Sequence, residues 1–236
     1  MLETNPAFLF TKNIKNDIIN YQGEKMSEED DTEQSSVLAL ADAQPKNFIV
    51  RNHYYLYDGI NDDTSKQLIV SLHSMALSII SQSLDSGALP CPIELHINST
   101  GGGLMDTLAI IQHMENIQKG VSTAIGGVRV PIAINTHIEG EADSGASLIS
   151  VCGSKRYCSK YALSLIHDSR SINATYMKVK DKEVDIQNDK TMNNIYRGIY
   201  LSHTKLTDKE LDEIFKIEKY YTPEELLKWG CIDEIE

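Results

Sequence analysis

The sequence predicts an α/β protein in which strands and helices alternate along the chain. Short stretches rich in β-branched and aromatic residues precede stretches with apolar residues at helical spacing, and this order repeats. A glycine turn, Asn98-Ser-Thr-Gly-Gly-Gly103, joins one predicted strand to the next helix. Such alternation is typical of layered α/β folds.

The first predicted elements begin near residue 48. Residues 48–50 and 53–57 have the composition of strands. Thr64 or Ser65 is a candidate N-cap for the first helix, which ends at Gly87. Its apolar face consists of residues at helical spacing: Leu68, Leu72, Met75, Ala76, Ile79 and Ile80.

The central part of the chain repeats a strand, a turn and a helix. Residues 93–97 alternate apolar and polar side chains and predict a strand that runs into the glycine turn. The next helix is indicated by the apolar spacing of Leu104, Leu108, Ile111 and Met114. Residues 131–138 predict a further strand, residues 147–152 a helix, and residues 162–166 another strand.

The C-terminal third is predicted to be helical. A long, mostly polar helix covers residues 179–205, so much of its surface must contact water or another subunit. Thr207 with Glu210, and Thr222 with Glu225, have the spacing of capping boxes. Gly230 is placed to end the last helix.

Composition and charge exclude several classes of protein. The chain of 236 residues has 22 basic and 34 acidic side chains and a net charge of −12, which argues against nucleic-acid binding. No stretch approaches the ~20 apolar residues of a membrane-spanning helix. The N-terminus does not have the pattern of a secretory signal, so we expect a cytoplasmic protein without a membrane partner. The four cysteines form no CxxC pair, and we expect neither a metal nor another cofactor.

Residues 1–46 differ in composition from the rest of the chain. They include the acidic run Ser27-Glu-Glu-Asp-Asp-Thr-Glu-Gln-Ser-Ser36, which offers little apolar surface for burial. We expect a flexible N-terminal extension or a propeptide over residues 1–46, and a globular domain over residues 47–236.

Three features suit acyl transfer. Ser144 lies in Gly140-Glu-Ala-Asp-Ser144-Gly-Ala and is a candidate nucleophile, although serine is also a preferred N-cap. His167 is a candidate base, or else a partly buried histidine with satisfied hydrogen bonds. The glycine turn at residues 101–103 allows close backbone approach, either to an oxyanion or simply within a tight turn.

These motifs occur in the order of a known family. Asn98-Ser-Thr-Gly-Gly102 resembles the Asn-Ser-Pro-Gly-Gly turn of the ClpP peptidases, and the Ser144 segment resembles their Gly-x-Ala-Ala-Ser-Met-Gly/Ala motif. Leu165-Ile-His167 is similar to Met-Ile-His, and His203-Thr204 to His-Thr-Gly. The segment from Tyr220 to Asp233 resembles the family's closing segment.

The resemblance implies a ClpP/crotonase-type fold of stacked β-β-α units with a projecting long helix. It implies Ser144 as nucleophile, His167 as general base, and the N–H groups of Gly102 and Gly145 as the oxyanion hole. Counting back from Gly230, the family's catalytic Asp falls on Glu218, with Asp212 or Asp208 as alternatives. Asp168 is expected to point away from His167.

The resemblance also implies an assembly. Family members form heptameric rings, stacked in pairs as tetradecamers, that degrade unfolded polypeptides or peptides delivered by a separate AAA+ ATPase. The long polar helix would then mediate contact between rings. No ATP-binding loop occurs in this sequence, so such an ATPase is a separate partner.

Four departures from the family pattern suggest a viral or otherwise specialised member. Thr100 replaces the proline of the turn, Asp143 replaces a small residue, Gly145 replaces methionine, and the loop over residues 119–129 is longer. Three alternative functions remain open. They are a catalytically silent ring subunit, a phage head-maturation or scaffold protease of the same fold, and a crotonase-like acyl-CoA enzyme.

Overall fold

The structure is a computed structural model that describes residues 47–122, 127–168 and 179–236, without the side chains of residues 179–182. The predicted N-terminal extension, residues 1–46, therefore lies outside the described residues. The same holds for residues 123–126 of the loop that we expected to be longer than in the family.

The described residues contain six helices and ten strands. The helices are α1 (Asp62–Ser86), α2 (Leu104–Lys119), α3 (Gly145–Val151), α4 (Val179–His203), α5 (Asp208–Lys216) and α6 (Pro223–Trp229). The strands are β1 (Phe48–Val50), β2 (His53–Leu56), β3 (Ile93–Ser99), β4 (Val121–Ser122), β5 (Arg129–Val130), β6 (Ile134–Asp143), β7 (Arg156–Cys158), β8 (Leu163–Leu165), β9 (Tyr220–Tyr221) and β10 (Glu234–Ile235).

Eight of the strands form one mostly parallel sheet in the order β1-β2-β3-β6-β7-β10. The sheet branches at the long strand β6, whose first half pairs with β7 and whose last three residues pair with β8. Strand β9 runs antiparallel along the other edge of β8. The predicted α/β class is therefore confirmed, and the branch at β6 determines where the candidate site lies.

Helices α1, α2 and α3 pack on one face of the sheet and enclose the core. Every second residue of β3 is buried against them, as the alternating pattern predicts. The apolar face predicted for α1 is also buried: Leu68, Leu72, Met75, Ala76, Ile79 and Ile80. By length and composition alone α1 could span a membrane, but this face belongs to the core.

The opposite face of the sheet carries a row of stacked rings that runs across neighbouring strands. The rings of Tyr55 and His96 are 4.4 Å apart, those of His96 and His137 are 4.8 Å apart, and that of Tyr157 follows at 4.7 Å. The Nδ1 atom of His96 lies 2.8 Å from a carboxylate oxygen of Glu139. We call these four rings the ring stack.

The side chain of Arg156 on β7 binds residues at the C-terminal ends of α4 and α6 and so connects both helices to the sheet. Its guanidinium binds both carboxylate oxygens of Asp233, at 3.0 and 2.6 Å. It also donates to the carbonyl oxygens of His203 and Gly230, at 2.5 and 2.7 Å. The ends of α4 and α6 are therefore fixed by one side chain.

The start of α1 was predicted wrongly. The N-cap is Asn61, whose side chain accepts from the N–H groups of Asp63 and Thr64, while the Thr64 hydroxyl accepts from the Asn61 N–H. Thr64 is thus the second member of a capping box. Both C-terminal capping boxes are confirmed, and Gly87 and Gly230 end their helices with positive φ.

Candidate active site

Ser144 joins the end of β6 to the start of α3 in a conformation unusual for a residue with a side chain. Its φ is 53° and its ψ is −119°, and a sparsely populated backbone conformation of this kind costs ~1–3 kcal/mol. Its side chain makes no capping hydrogen bond to α3. Ser144 thus occupies the N-cap position of α3 without capping it through its side chain, and backbone strain of this kind is concentrated at functional sites.

The glycine turn is packed directly against the Ser144 segment. Gly101 has a φ of 79°, and a Cβ atom placed on it would lie 2.3 Å from the carbonyl oxygen of Asp143 and 2.8 Å from the nitrogen of Gly145. A Cβ atom on Gly102 would lie 1.9 Å from the carbonyl oxygen of Ile60. Only glycine fits at these two positions, so the turn does more than reverse the chain.

The turn is held from its other side by Ile60. The Ile60 N–H donates to the Gly101 carbonyl at 2.8 Å, and the Gly103 N–H donates to the Ile60 carbonyl at 2.9 Å. Within the described part of the chain, the N–H groups of Gly102 and Gly145 have no backbone acceptor. The two groups predicted to bind an oxyanion are therefore both left without a backbone partner.

His167 lies two residues beyond β8 and is half-buried. Its Nδ1 atom is 2.5 Å from the carbonyl oxygen of Asp168. Because a carbonyl oxygen can only accept, Nδ1 carries the hydrogen, and neutral His167 has its lone pair on Nε2. Among the described contacts, no hydrogen bond joins His167 to Ser144, so the two residues lie just beyond the ends of adjacent strands without a direct link.

Strand register brings the three predicted catalytic residues to one end of β6, β8 and β9. Asp143 pairs with Leu165, and Leu165 pairs with Tyr220, so these three residues form one row across the strands. Ser144 comes one residue after Asp143. His167 follows Leu165 by two residues, and Glu218 precedes Tyr220 by two residues. Because β8 and β9 are antiparallel, both residues lie on the same side of this row. Continuing the register of β8 and β9 would therefore set Glu218 opposite His167.

The other candidate acids are engaged elsewhere. Asp208 and Asp212 on α5 both bind Arg197 of α4, at 2.7 and 2.9 Å. Asp168 contacts His167 through its backbone carbonyl rather than its carboxylate. Glu218 lies in the segment between α5 and β9, and its side chain is exposed. Strand register favours Glu218 among the four.

Tyr196 on α4 is a site residue that the sequence did not indicate. Its side chain is 2% exposed, and within the described part its buried hydroxyl has no hydrogen bond of acceptable geometry. Burial raises the pKa of Tyr196, and the neighbouring hydroxyls of Ser144 and Tyr200 act to lower it. Its place on a mostly polar helix gave no signal, because only the tertiary fold brings α4 to Ser144.

Asp143, the residue before Ser144, is a buried carboxylate at 6% exposure. Burial raises its pKa to about 6, and the charge of Glu141 acts in the same direction. The Leu165 N–H, which donates to Asp143 Oδ1 at 2.9 Å, acts to lower it. A carboxylate next to the candidate nucleophile is therefore close to half-protonated in mildly acidic solution.

The described residues contain no group of three or more His, Cys, Asp or Glu side chains that could hold a metal ion. Their arrangement does combine a strained serine, a histidine with a free Nε2 on the adjacent strand, and two unpaired N–H groups beside the serine. Together these groups are the parts needed for nucleophilic acyl transfer.

Comparison with known proteins agrees with this chemistry. The model of a protein family described as Clp protease matches residues 45–236. The ATP-dependent Clp protease proteolytic subunit of Deinococcus radiodurans is 30% identical over 168 residues, which cover 68% of this chain and 74% of that protein. The ATP-dependent Clp protease proteolytic subunit 1 of Corynebacterium diphtheriae is 25% identical over 176 residues, which cover 74% of each.

Proposed function

Because the chain belongs to the Clp protease family and has its fold, we propose that it is a serine endopeptidase with Ser144 as nucleophile, His167 as general base and Glu218 as the acid. The observation that carries the proposal is the contact between the Gly101 turn and the strained Ser144 segment. That contact sets unpaired N–H groups beside a serine whose backbone is held out of the ordinary helix and strand regions.

The reaction proceeds by acyl transfer. Ser144 Oγ attacks the peptide carbonyl carbon while His167 Nε2 accepts the hydroxyl proton. The N–H groups of Gly102 and Gly145 stabilise the oxyanion of the tetrahedral intermediate. His167 then gives its proton to the leaving amine, and water hydrolyses the acyl-enzyme with the same residue as base.

Glu218 orients His167 in the working enzyme. The Nδ1–H of His167 now donates to the Asp168 carbonyl, and in the proposed triad this same hydrogen is donated to the Glu218 carboxylate. The exchange requires only a local movement if the register of β8 and β9 continues for two more residues, because residue 218 then stands opposite residue 167. Glutamate is one methylene longer than the family's aspartate, which increases its reach.

The protein acts on unfolded polypeptides or peptides inside a cytoplasmic homo-oligomer of heptameric rings, supplied by a separate AAA+ ATPase. This part of the proposal is supported by membership of the family and by α4, which exposes Val184, Ile186 and Ile195 at 41% or more. Aliphatic side chains exposed on a projecting helix suit contact with another subunit. Sedimentation velocity is expected to show an oligomer that Ile186→Glu weakens; a monomer at all concentrations would contradict it.

Labelling with a fluorophosphonate probe tests the catalytic assignment. We expect one adduct, located on Ser144 by mass spectrometry, that is lost in Ser144→Ala and in His167→Ala. Ser74→Ala, at an exposed position on α1, is the matched control and should label like the wild type. Labelling at another serine, or retained peptidase activity in Ser144→Ala, would refute the assignment.

One observation favours a second function, that of a catalytically silent ring subunit. In the described contacts His167 is bonded to Asp168 and not to Ser144. If the assembled protein forms no adduct with the probe but still co-sediments with an active relative, the silent role holds. Restoring activity by Glu218→Asp would then identify the acid as the cause.

A further inference from the structure

Asp143 connects the strand that ends at Ser144 to the strand that leads to His167. Its Oδ1 atom accepts the Leu165 N–H at 2.9 Å. The Leu165 carbonyl accepts the Ser144 N–H, also at 2.9 Å. Asp143 and Ser144 therefore hold both polar backbone groups of Leu165, two residues before His167.

The pairing that these bonds support is short. Strand β8 meets β6 over only three residue pairs, of which Asp143 with Leu165 is the last. One other side chain links the two strands, the Ser164 hydroxyl, which donates to the Ala142 carbonyl. Because a slip of one residue turns every side chain of a strand to the opposite face, so short a pairing needs side-chain contacts to define its register.

A carboxylate is a costly choice for this contact. Among the described residues, the ionisable groups found to act on Asp143 are Glu141 on β6, Tyr220 on β9 and Tyr196 on α4, and none of them is a cation. An asparagine would accept the same N–H without a buried charge. An ionisable group retained at a stability cost beside a nucleophile points to a role in function.

We propose that Asp143 is a positioning residue of the active site, whose carboxylate holds β8 in register with β6 and so sets His167 beside Ser144. This inference rests on the proposed peptidase function. It assigns Asp143 no contact with substrate. Its effect is exerted through Leu165 and the two residues that follow.

The contact depends on protonation. An ionised carboxylate is a stronger acceptor than a neutral carboxyl group, so the bond to Leu165 weakens when Asp143 takes up a proton. Part of any loss of activity in acid is therefore expected to come from protonation of Asp143.

Two substitutions separate the charge from the hydrogen bond. Asp143→Asn keeps an oxygen acceptor without titrating, and Asp143→Ala removes the acceptor. Asp233→Asn is the matched control, because Asp233 also accepts a backbone N–H, from Arg156 at 3.0 Å. Each variant is compared with the wild type in its fluorophosphonate labelling rate at pH 5–8 and in hydrogen exchange of the peptide containing β8.

Asp143→Asn should label at pH 8 within about threefold of the wild type, because it keeps an oxygen acceptor for the Leu165 N–H. Asp143→Ala should label ~10–100-fold more slowly while folded, the size expected for a misplaced catalytic group. Its β8 peptide should exchange faster at pH 8, and Asp233→Asn should leave that peptide unchanged. A wild-type labelling rate in folded Asp143→Ala would overturn the inference.

Hydrogen exchange keeps this test separate from that of the proposed function. If the wild type does not react with the probe but β8 exchanges faster in Asp143→Ala, the peptidase function fails and the structural part of the inference stands. If β8 exchange is the same in the wild type and in Asp143→Ala, the inference fails whatever the probe shows.

Discussion

Substituting Gly101 tests whether close approach of the glycine turn holds the Ser144 segment. In Gly101→Ala the new Cβ atom would lie 2.3 Å from the Asp143 carbonyl oxygen and 3.0 Å from the Cβ atom of Ser144. Both neighbours belong to backbone or to a short side chain, so neither can move aside without shifting the strand. The variant should therefore disturb Ser144 as well as the turn.

Gly87→Ala provides the matched control. Gly87 has a φ of 70°, close to the 79° of Gly101, but a Cβ atom there would meet nothing within 4 Å. It should cost only the left-handed backbone penalty of ~1–2 kcal/mol. At Gly101 the overlap adds ~1–3 kcal/mol, so the total is about 2–5 kcal/mol.

Thermal unfolding measures the difference. For a domain of this size ~1 kcal/mol corresponds to about 2–4 °C in Tm, so Gly87→Ala should lower Tm by ~2–8 °C and Gly101→Ala by ~4–20 °C. The labelling rate of Ser144 should fall at least about tenfold in Gly101→Ala and stay unchanged in Gly87→Ala. Equal losses of Tm and equal labelling in the two variants would refute the reasoning.

Three further predictions concern the rest of the molecule. Cys91 is exposed, whereas the other cysteines are buried and burial raises their pKa to about 12. A thiol reagent should therefore react with one cysteine in the native protein and with four in denaturant. Two or more reactive thiols in the native protein would contradict this. Arg156→Ala should lower the free energy of unfolding by about 2–4 kcal/mol. Arg197→Ala should lower it by less than ~1 kcal/mol, because the acidic partners of Arg197 are exposed. If urea unfolding ranks the two variants in the reverse order, the result would be inconsistent with the fold. Burial holds the pKa of His96 below its usual 6.5 against the effect of Glu139, so the native protein prefers neutral His96. Stability is therefore lost as pH falls from about 6.5 through the lowered pKa. His96→Gln should flatten this decline in Tm, and an unchanged decline would show that other groups cause it.

Regular, locally determined elements could be predicted from the sequence. Helix α2 follows its apolar spacing, and the capping boxes at Thr207 and Thr222 form as their spacing indicates. The start of α1 was misplaced because Asn61, Thr64 and Ser65 are all good caps, and apolar spacing, which begins at Leu68, does not choose among them.

Elements that depend on distant partners could not be predicted. Strand β6 was expected over residues 131–138, but it covers Ile134–Asp143. Its polar second half, which includes Glu139 and Glu141, continues as a strand because it lies between β3 and β8. Strands β7, β9 and β10 have two or three residues, too few to show a period.

The residues of the candidate site also fall into those that the sequence predicts and those that depend on the folded chain. Ser144, His167 and the glycine turn were recognised from local motifs, whereas Tyr196 and the bond between Asp143 and Leu165 exist only in the folded chain. The contact between His167 Nδ1 and the Asp168 carbonyl also depends on packing, and sequence spacing contains no information about it.

The position of β8 between β6 and β9 has a consequence for synthesis of the chain. Synthesis starts at the N-terminus and adds ~5–20 residues per second, so Ser144 emerges from the ribosome well before Tyr220. Until β9 arrives, β8 has an open edge and the segment with Glu218 cannot stand opposite His167. A nascent chain thus presents an exposed strand edge, a known hazard for aggregation, before its candidate site is complete.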